Sequence, residues 1–437
     1  MCPDTVGHSE LATGKGVLAM GENKDGITRR EFLGAGIGVG MAWAAGGLAG
    51  WSFGQAMEQP LEKLAENIPT TVLGRTGWKT KIIGLGTIFR PEGKWTMKES
   101  DEVISTLIDS GINVYEIGVV YGESEERVGR VITKSNRDKV FLSSKSTKIT
   151  KQGFMKDLEG SLERLRTDHF DAYLLHNYST FIEFDKVMGP DGGFEALLEA
   201  QKQGKTRFIG MTSHGCQTYM AAMRSQKFDL FVIPFNPAHR EFTRGLDLAA
   251  KLGAATMTMK PFGGNGLLRY DPKDPVQLDQ VLTPQECLSY NLSTKGVTIA
   301  IPNMSTMAHV KGTLAAAAMV KPLTASQKRE IEAKAARILG GVCSECSKPC
   351  DGACPTKVPI SCMMSAAQEM RRLGYDNRRH GDRYAALEHD FQDCDGCGAC
   401  EKVCPKKLAI LKEIEKYDKA YRESRFATVL QFDKTYR

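Results

Sequence analysis

GINVYEIGVVYGESEERVG, residues 111–129, opens with an apolar run that ends on an acid, Glu116. Such a run predicts a buried strand. The loop after it carries Tyr121. Ser124 then opens a helix with Glu125 and Glu126 in its first turn, where an N-cap hydroxyl and the helix dipole favour them. An acid, a tyrosine and a helix start just past a strand end suit the C-terminal face of an α/β barrel, where barrel active sites are built.

Working outward, short apolar runs alternate with amphipathic stretches. The strand candidates are 82–86, 114–117, 140–144, 172–176, 207–212, 231–235, 255–260 and 297–302. Helical patterns cover 155–166, 194–202, 245–252 and 313–320. Eight strands, each followed by a helix or helix-like segment, predict a parallel (β/α)8 TIM barrel rather than an open sheet. A hairpin of 70–74 with 79–83 precedes the first strand. Lys145 ends the run VFLSSK, His176 ends DAYLLH, and GMTSH at 210–214 carries Thr212 and Ser213. All fall at strand C-terminal ends, the face that carries chemistry in a barrel.

These residues, in this order and spacing, resemble the aldo/keto reductase family, and the resemblance covers roughly residues 70–323. It implies a site for a small-molecule carbonyl or alcohol substrate. Tyr121 would be its general acid/base and Lys145 the cation that tunes the tyrosine. Glu116 would hold the lysine and His176 would polarise the substrate. The chemistry suits the residue types, because a tyrosine of pKa near ~10 needs a neighbouring ammonium to give up its proton near neutrality. The family's glycine-bearing loop is similar to Lys260-Pro261-Phe262-Gly263-Gly264. With Thr212, Ser213, Asn236 and Ser305, residues Lys260, Gly263 and Gly264 are the expected binders of NADP(H) or NAD(H). The sequence also departs from the family. Glu116 stands in place of Asp, Val232 in place of a Gln and Met259 in place of a stacking Tyr. Asn303 replaces a Gly, and only Ser305, His309 and Lys311 are offered to a 2′-phosphate.

At 437 residues the chain exceeds one barrel of roughly 250. Its 41% hydrophobic and 25% charged residues are those of a globular protein. A net charge of +6, from 58 basic and 52 acidic residues, is too slight to argue for a nucleic-acid partner. Of the twelve cysteines, nine lie from Cys343 to Cys404 and eight of these fall in two tight groups, which reads as cluster ligation rather than a disulfide framework.

Those eight form two arrays. Cys394, Cys397, Cys400 and Cys404, the last before Pro405, have the bacterial ferredoxin spacing for a [4Fe–4S] cube. Cys343, Cys346, Cys350 and Cys354, the last before Pro355, form a variant with one extra residue between the second and third ligands. Zinc is the alternative, although its sites usually pair one CxxC with a distant pair. The 39 residues between Cys354 and Cys394 read as helical, for example 363–373. The segment 324–437 therefore resembles a mostly helical two-cluster ferredoxin-like domain. The cross-over rule of such proteins puts Cys343, Cys346, Cys350 and Cys404 on one cluster and Cys354, Cys394, Cys397 and Cys400 on the other. Residues 324–339 read as a helix that opens the domain. The arginines Arg371, Arg372, Arg378, Arg379 and Arg383 are read as a solvated face or as a dock for an external electron carrier.

Thr28-Arg29-Arg30-Glu31-Phe32-Leu33 resembles a twin-arginine export signal, and residues 32–57 carry no charge. Residues 1–57 are expected to be that signal, read by the twin-arginine translocase, with 58–69 as a linker. The expected location is periplasmic or extracytoplasmic, with either a cut after Ala56 or an uncleaved membrane anchor. Translation from Met20 is a further expectation. The overall expectation is an exported oxidoreductase with a barrel site coupled to two clusters. Its rival is an electron-transfer or binding protein with an inactive barrel.

Overall fold

The computed structural model describes residues 53–87, 95–178, 181–240, 242–264, 266–268, 282–338, 343, 349–364, 367, 389–404 and 407–423. The twin-arginine motif, Cys346, Pro405 and the arginines of 371–383 lie outside them.

A two-stranded antiparallel hairpin, β1 (Thr70–Val72) and β2 (Lys79–Lys81), comes first. The barrel strands follow as β3 (Leu85–Gly86), β4 (Val114–Glu116), β5 (Phe141–Ser146), β6 (Phe170–Leu175), β7 (Thr206–Thr212), β8 (Leu230–Pro234), β9 (Ala255–Met259) and β10 (Ile299–Ile301). They pair in sequence order and all in parallel. A parallel bridge between Ile83 and Ala300 joins the first strand region to the last. The amides of Gly84 and Gly86 donate to the carbonyls of Ala300 and Pro302 at 2.9 and 3.0 Å, so the sheet closes. Closure explains the register. A Cβ on Gly84 would meet the Val114 carbonyl oxygen at 2.8 Å, and one on Gly86 would meet that of Ile301 at 2.8 Å.

Strand periodicity sets the barrel's contents. Val114, Phe141, Ala172, Leu174, Leu230, Val232, Ala255, Met257, Ile299 and Ile301 form an apolar filling, with Leu73 from the hairpin as a plug. The same inward parity carried up to the strand ends gives Glu116, Lys145 and His176. The inward face of β4, β5 and β6 is thus apolar below and polar above. The outward faces pack on the surrounding helices through a second, larger apolar cluster that includes Tyr115, Leu142, Tyr173, Ile209 and Phe231.

Two expected boundaries are corrected. Residues 58–69 are not a free linker, and the end of the expected signal is folded. Phe53–Glu58 and Leu61–Glu66 are helices that pack on the barrel helix Met307–Ala318. Ala56 and Leu64 are fully buried there, which is why this segment is ordered. The helix expected at 324–339 is present as Ala325–Ile338, and Thr324 exchanges hydrogen bonds with Gln327 at its start. However, its Ile331 and Ala335 belong to the barrel's cluster, so the barrel runs to Ile338.

The cysteine segment has its own apolar cluster: Cys350, Val358, Ile360, Met363, Met364, Ala367, Cys400, Leu408, Ile410, Ile414 and Tyr417. Its helices Pro349–Ala353 and Ala399–Lys402 pack together and carry Cys350 and Cys400. The helix Ile410–Arg422 covers them. No described helix is long and apolar enough to cross a membrane.

Candidate functional site

The acid Glu116 ends β4, and Lys145 lies on the neighbouring strand β5 with both side chains inward. Glu116 is 5% exposed and Lys145 1%. A buried ammonium requires a partner. Lys145 Nζ donates to Glu116 Oε1 and to the carbonyl of Ile117. β4 and β5 keep regular parallel register through Glu116.

Gly118 leaves room for this pair. A Cβ there would meet Lys145 Cγ and Nζ at 3.3 Å. After Gly118 the chain turns, with the Tyr121 amide donating to the Gly118 carbonyl at 2.9 Å. Ser124 is the first residue of the helix Ser124–Val131 rather than its cap. Its hydroxyl donates to the Tyr121 carbonyl at 2.7 Å. The turn swings the phenol ring back over Lys145, whose Nζ lies 4.3 Å from the ring centroid. His176 meets the same ring edge-on, centroids 5.6 Å apart. All four candidate catalytic residues therefore converge on one point at the barrel's C-terminal face.

The electrostatics follow from burial. Desolvation lowers the Lys145 pKa, and Glu116 and then Glu125 pull it back up. Desolvation also holds His176 well below the usual histidine range, with the positive charges of Lys145 and His214 adding to the effect. His176 is therefore neutral near pH 7. Its Nδ1 is buried and has no hydrogen-bond partner in the protein. A buried ring nitrogen left without a partner is uncommon, and such exceptions call for an explanation at a functional site.

Two participants were not read from the sequence. Gly118 is one. Glu125 is the other: 1% exposed, it accepts from Ser144 Oγ at 2.6 Å and from Arg164 Nε at 2.7 Å. Ser144 precedes Lys145, so Glu125 pins the strand that carries the lysine. In the sequence it looks like any first-turn helix acid.

The expected nucleotide binders lie at the ends of β7 to β10, on the same face. Several are occupied with local structure. Thr212 Oγ1 accepts from the Asn177 amide at 2.8 Å. Ser213 Oγ meets Thr218 Oγ1 at 2.9 Å and accepts from the Gly215 amide at 2.9 Å. Asn236 Nδ2 donates to the Lys260 carbonyl at 3.0 Å, stapling the β8 loop to the β9 loop. Lys260, Gly263 and Gly264 all have positive φ, which shapes that loop. Ser305 is buried, and its amide donates to His309 Nδ1 at 3.3 Å. Burial lowers the His309 pKa, so it offers little charge to a phosphate. Val232 is fully buried in the barrel filling, and Met259 is half-buried above it.

None of the described cysteines is in a disulfide. Cys350 and Cys400 are buried among apolar side chains, with Cys343, Cys354, Cys394 and Cys404 packed against the same cluster. Burial pushes the Cys350 thiol up to about 12 and the Cys400 thiol up to about 11. Cys343 adds repulsion at Cys350, and Cys394 does so at Cys400. Among the described residues no three ligating side chains converge as one metal ion would need.

Residues 82–285 match the model of the aldo/keto reductase family. Over that span the barrel is similar to those of aldo/keto reductases. Residues 387–407, which hold the second cysteine array, match the 4Fe-4S binding domain. The aldo-keto reductase YhdN of Bacillus subtilis is 26% identical over 235 residues, covering 46% of this chain and 69% of that protein. L-galactose dehydrogenase of Arabidopsis thaliana is 29% identical over 164 residues, covering 33% of this chain and 48% of that protein. The holo form of an aldo-keto reductase from Bacillus halodurans superposes with a TM-score of 0.53 at 19% identity. It covers 61% of this chain and 96% of that one, and shows the shared fold. The chain is thus an aldo/keto reductase-like oxidoreductase with a 4Fe-4S binding domain.

Proposed function

We propose that the barrel interconverts a carbonyl and an alcohol, with Tyr121 moving the proton at the substrate oxygen. The observation that carries this is the buried Lys145–Glu116 pair set against the Tyr121 ring, with His176 at its edge. Neutral His176 donates a hydrogen bond to the substrate oxygen and orients it. Lys145 keeps an ammonium beside the phenol and lowers the cost of phenolate. Glu116 keeps that ammonium charged against the desolvation that opposes it. A nicotinamide dinucleotide, NADP(H) or NAD(H), held by the rim loops with Thr212, Ser213, Asn236, Lys260, Gly263, Gly264 and Ser305, supplies or accepts hydride when bound.

Both cysteine arrays hold [4Fe–4S] clusters in this reading, two in all, and exchange single electrons with an external carrier. The twin-arginine motif supports export of the folded, loaded protein to a periplasmic or other extracytoplasmic compartment. Transport after cluster insertion protects eight thiols that would otherwise meet an oxidising environment. The test is anaerobic turnover of the purified protein on a panel of simple aldehydes, with NADPH or an artificial one-electron donor. Turnover that Tyr121→Phe abolishes supports the reading. Equal rates in both proteins would show that the barrel is a scaffold.

A further inference from the structure

The helix Ala325–Ile338 is the last barrel element before the cysteines, and its direction is fixed by the contacts it makes. Lys328 Nζ donates to the Ser293 carbonyl at 2.8 Å. Further along, Glu332 accepts from the Tyr290 hydroxyl at 2.6 Å, and Lys334 pairs with Glu286 at 2.8 Å. As the number on this helix rises, its partner's number falls. The helix therefore runs antiparallel to Pro284–Leu292. That neighbour starts on the catalytic side, after β9, and ends at Ser293, just before β10 enters the barrel from below.

The Ala325–Ile338 helix thus climbs from the floor of the barrel to the catalytic rim. Its upper half is tied to that rim twice. Glu332 pairs with Arg240 of the loop after β8. The helix also packs on the turn Gly266–Leu268 of the loop after β9. These are the two loops that Asn236 staples together. Cys343 follows Ile338 by five residues, a reach of at most ~18 Å even for an extended chain.

We infer that this helix is a strut that delivers the cysteine segment to the mouth of the active site, beside the β8 and β9 loops. The cluster hung on Cys343 then stands at the mouth rather than at the far end of the barrel. The identity of that cluster rests on the functional reading above; the placement of the segment does not.

Amine-specific cross-linking of the full anaerobic protein, read by mass spectrometry, tests the placement. Lys357, Lys402 and Lys407 of the cysteine segment are exposed, as are Lys260 at the rim and Lys227 and Lys295 at the floor. Links from the cysteine segment to Lys260 are expected, with at least a tenfold excess over links to Lys227 and Lys295. Removing the strut's ties with Glu332→Ala and Lys334→Ala together should reduce that excess several-fold. Predominant links to Lys227 or Lys295, or no links to Lys260, would overturn the inference. Iron analysis of the same sample judges the cluster reading separately.

Discussion

The barrel and the cysteine segment solve the burial of reactive groups in opposite ways. In the barrel, a large apolar shell surrounds a closed sheet, and the pair Lys145–Glu116 is buried at the C-terminal strand ends. The fold exists without its chemistry, and the chemistry occupies one end of it. In the cysteine segment two of the eleven buried core residues, Cys350 and Cys400, belong to the two cysteine arrays. A core that small supplies little stability alone, and small domains of this kind need a staple. Burial raises both thiol pKa values, as an apolar core disfavours thiolates. The barrel's site is a guest of its fold, whereas the cysteine segment's fold is a guest of its site.

The largest expected effect separates the two regions. Removing iron with a chelator should melt the cysteine segment and leave the barrel's thermal transition in place. Circular dichroism should lose part of the helix signal, and a single high-temperature transition should remain. A chelated protein that keeps all its helix would break the comparison. About eight irons per chain are expected before chelation if both arrays are loaded, and acid-labile sulfide should match.

Next in size is Tyr121→Phe, which should cost roughly 10²–10⁴-fold in kcat with little change in iron content. Glu116→Gln should cost on the order of 100-fold and also move the pH profile. Burial already lowers the Lys145 pKa and Glu116 opposes it, so removing the carboxylate lowers it further. The ammonium is then lost at a lower pH, and the alkaline limb of the rate profile should shift down. An unmoved limb with full turnover would show that the pair is only structural.

A smaller effect is expected at Gly118. Its missing Cβ leaves Lys145 in place, so Gly118→Ala should displace the lysine by a few tenths of an ångström. Turnover should fall roughly tenfold, less than the about 100-fold cost of a 1 Å misplacement. Thermal stability and iron content should hardly change.

The smallest effect concerns stability. His176 titrates well below an unfolded histidine, whose pKa is about 6.5. Below that pH the unfolded chain binds a proton that the folded one does not. Stability should therefore fall on acidification, by up to about 1.4 kcal/mol per pH unit until the folded pKa is reached. His176→Gln should flatten this slope in denaturant titrations at pH 5 to 7, and an equal slope would sink the assignment.

Much of this was legible from sequence. Parallel strands are buried on both faces, so each is a short apolar run with a turn or helix after it, and all eight were located. Period-two inward parity then makes Glu116 and Lys145 neighbours at the rim. The N-terminal helices were missed although Leu61, Leu64, Ala65 and Ile68 have a helical stripe, because the flanking charges resemble a solvated linker. The helix at 325–338 was found but given to the wrong region, since Ile331 and Ala335 do not say which surface they cover. Glu125 was invisible as a buried group: nothing local distinguishes it from half-buried Glu123 or Glu126, and only the tertiary approach of Ser144 and Arg164 does. The residues expected to bind a nucleotide lie on one face of the barrel, but hydrogen bonds such as those of Thr212 with Asn177 and Asn236 with Lys260 join segments far apart in sequence.

The clasp of the Leu61–Glu66 helix on the helix Met307–Ala318 has a consequence for the order of synthesis. Leu64 is made about 250 residues before Leu314, and at roughly 5–20 residues per second its partner emerges about 12 to 50 s later. The Ile83–Ala300 bridge that closes the sheet waits almost as long. The earliest part of the barrel must therefore stay unassembled while its partners are still on the ribosome, exposing apolar surface to chaperones. Cys343 is made only some thirty residues after Leu314, so the first cysteine array emerges within the same short interval in which the barrel can close.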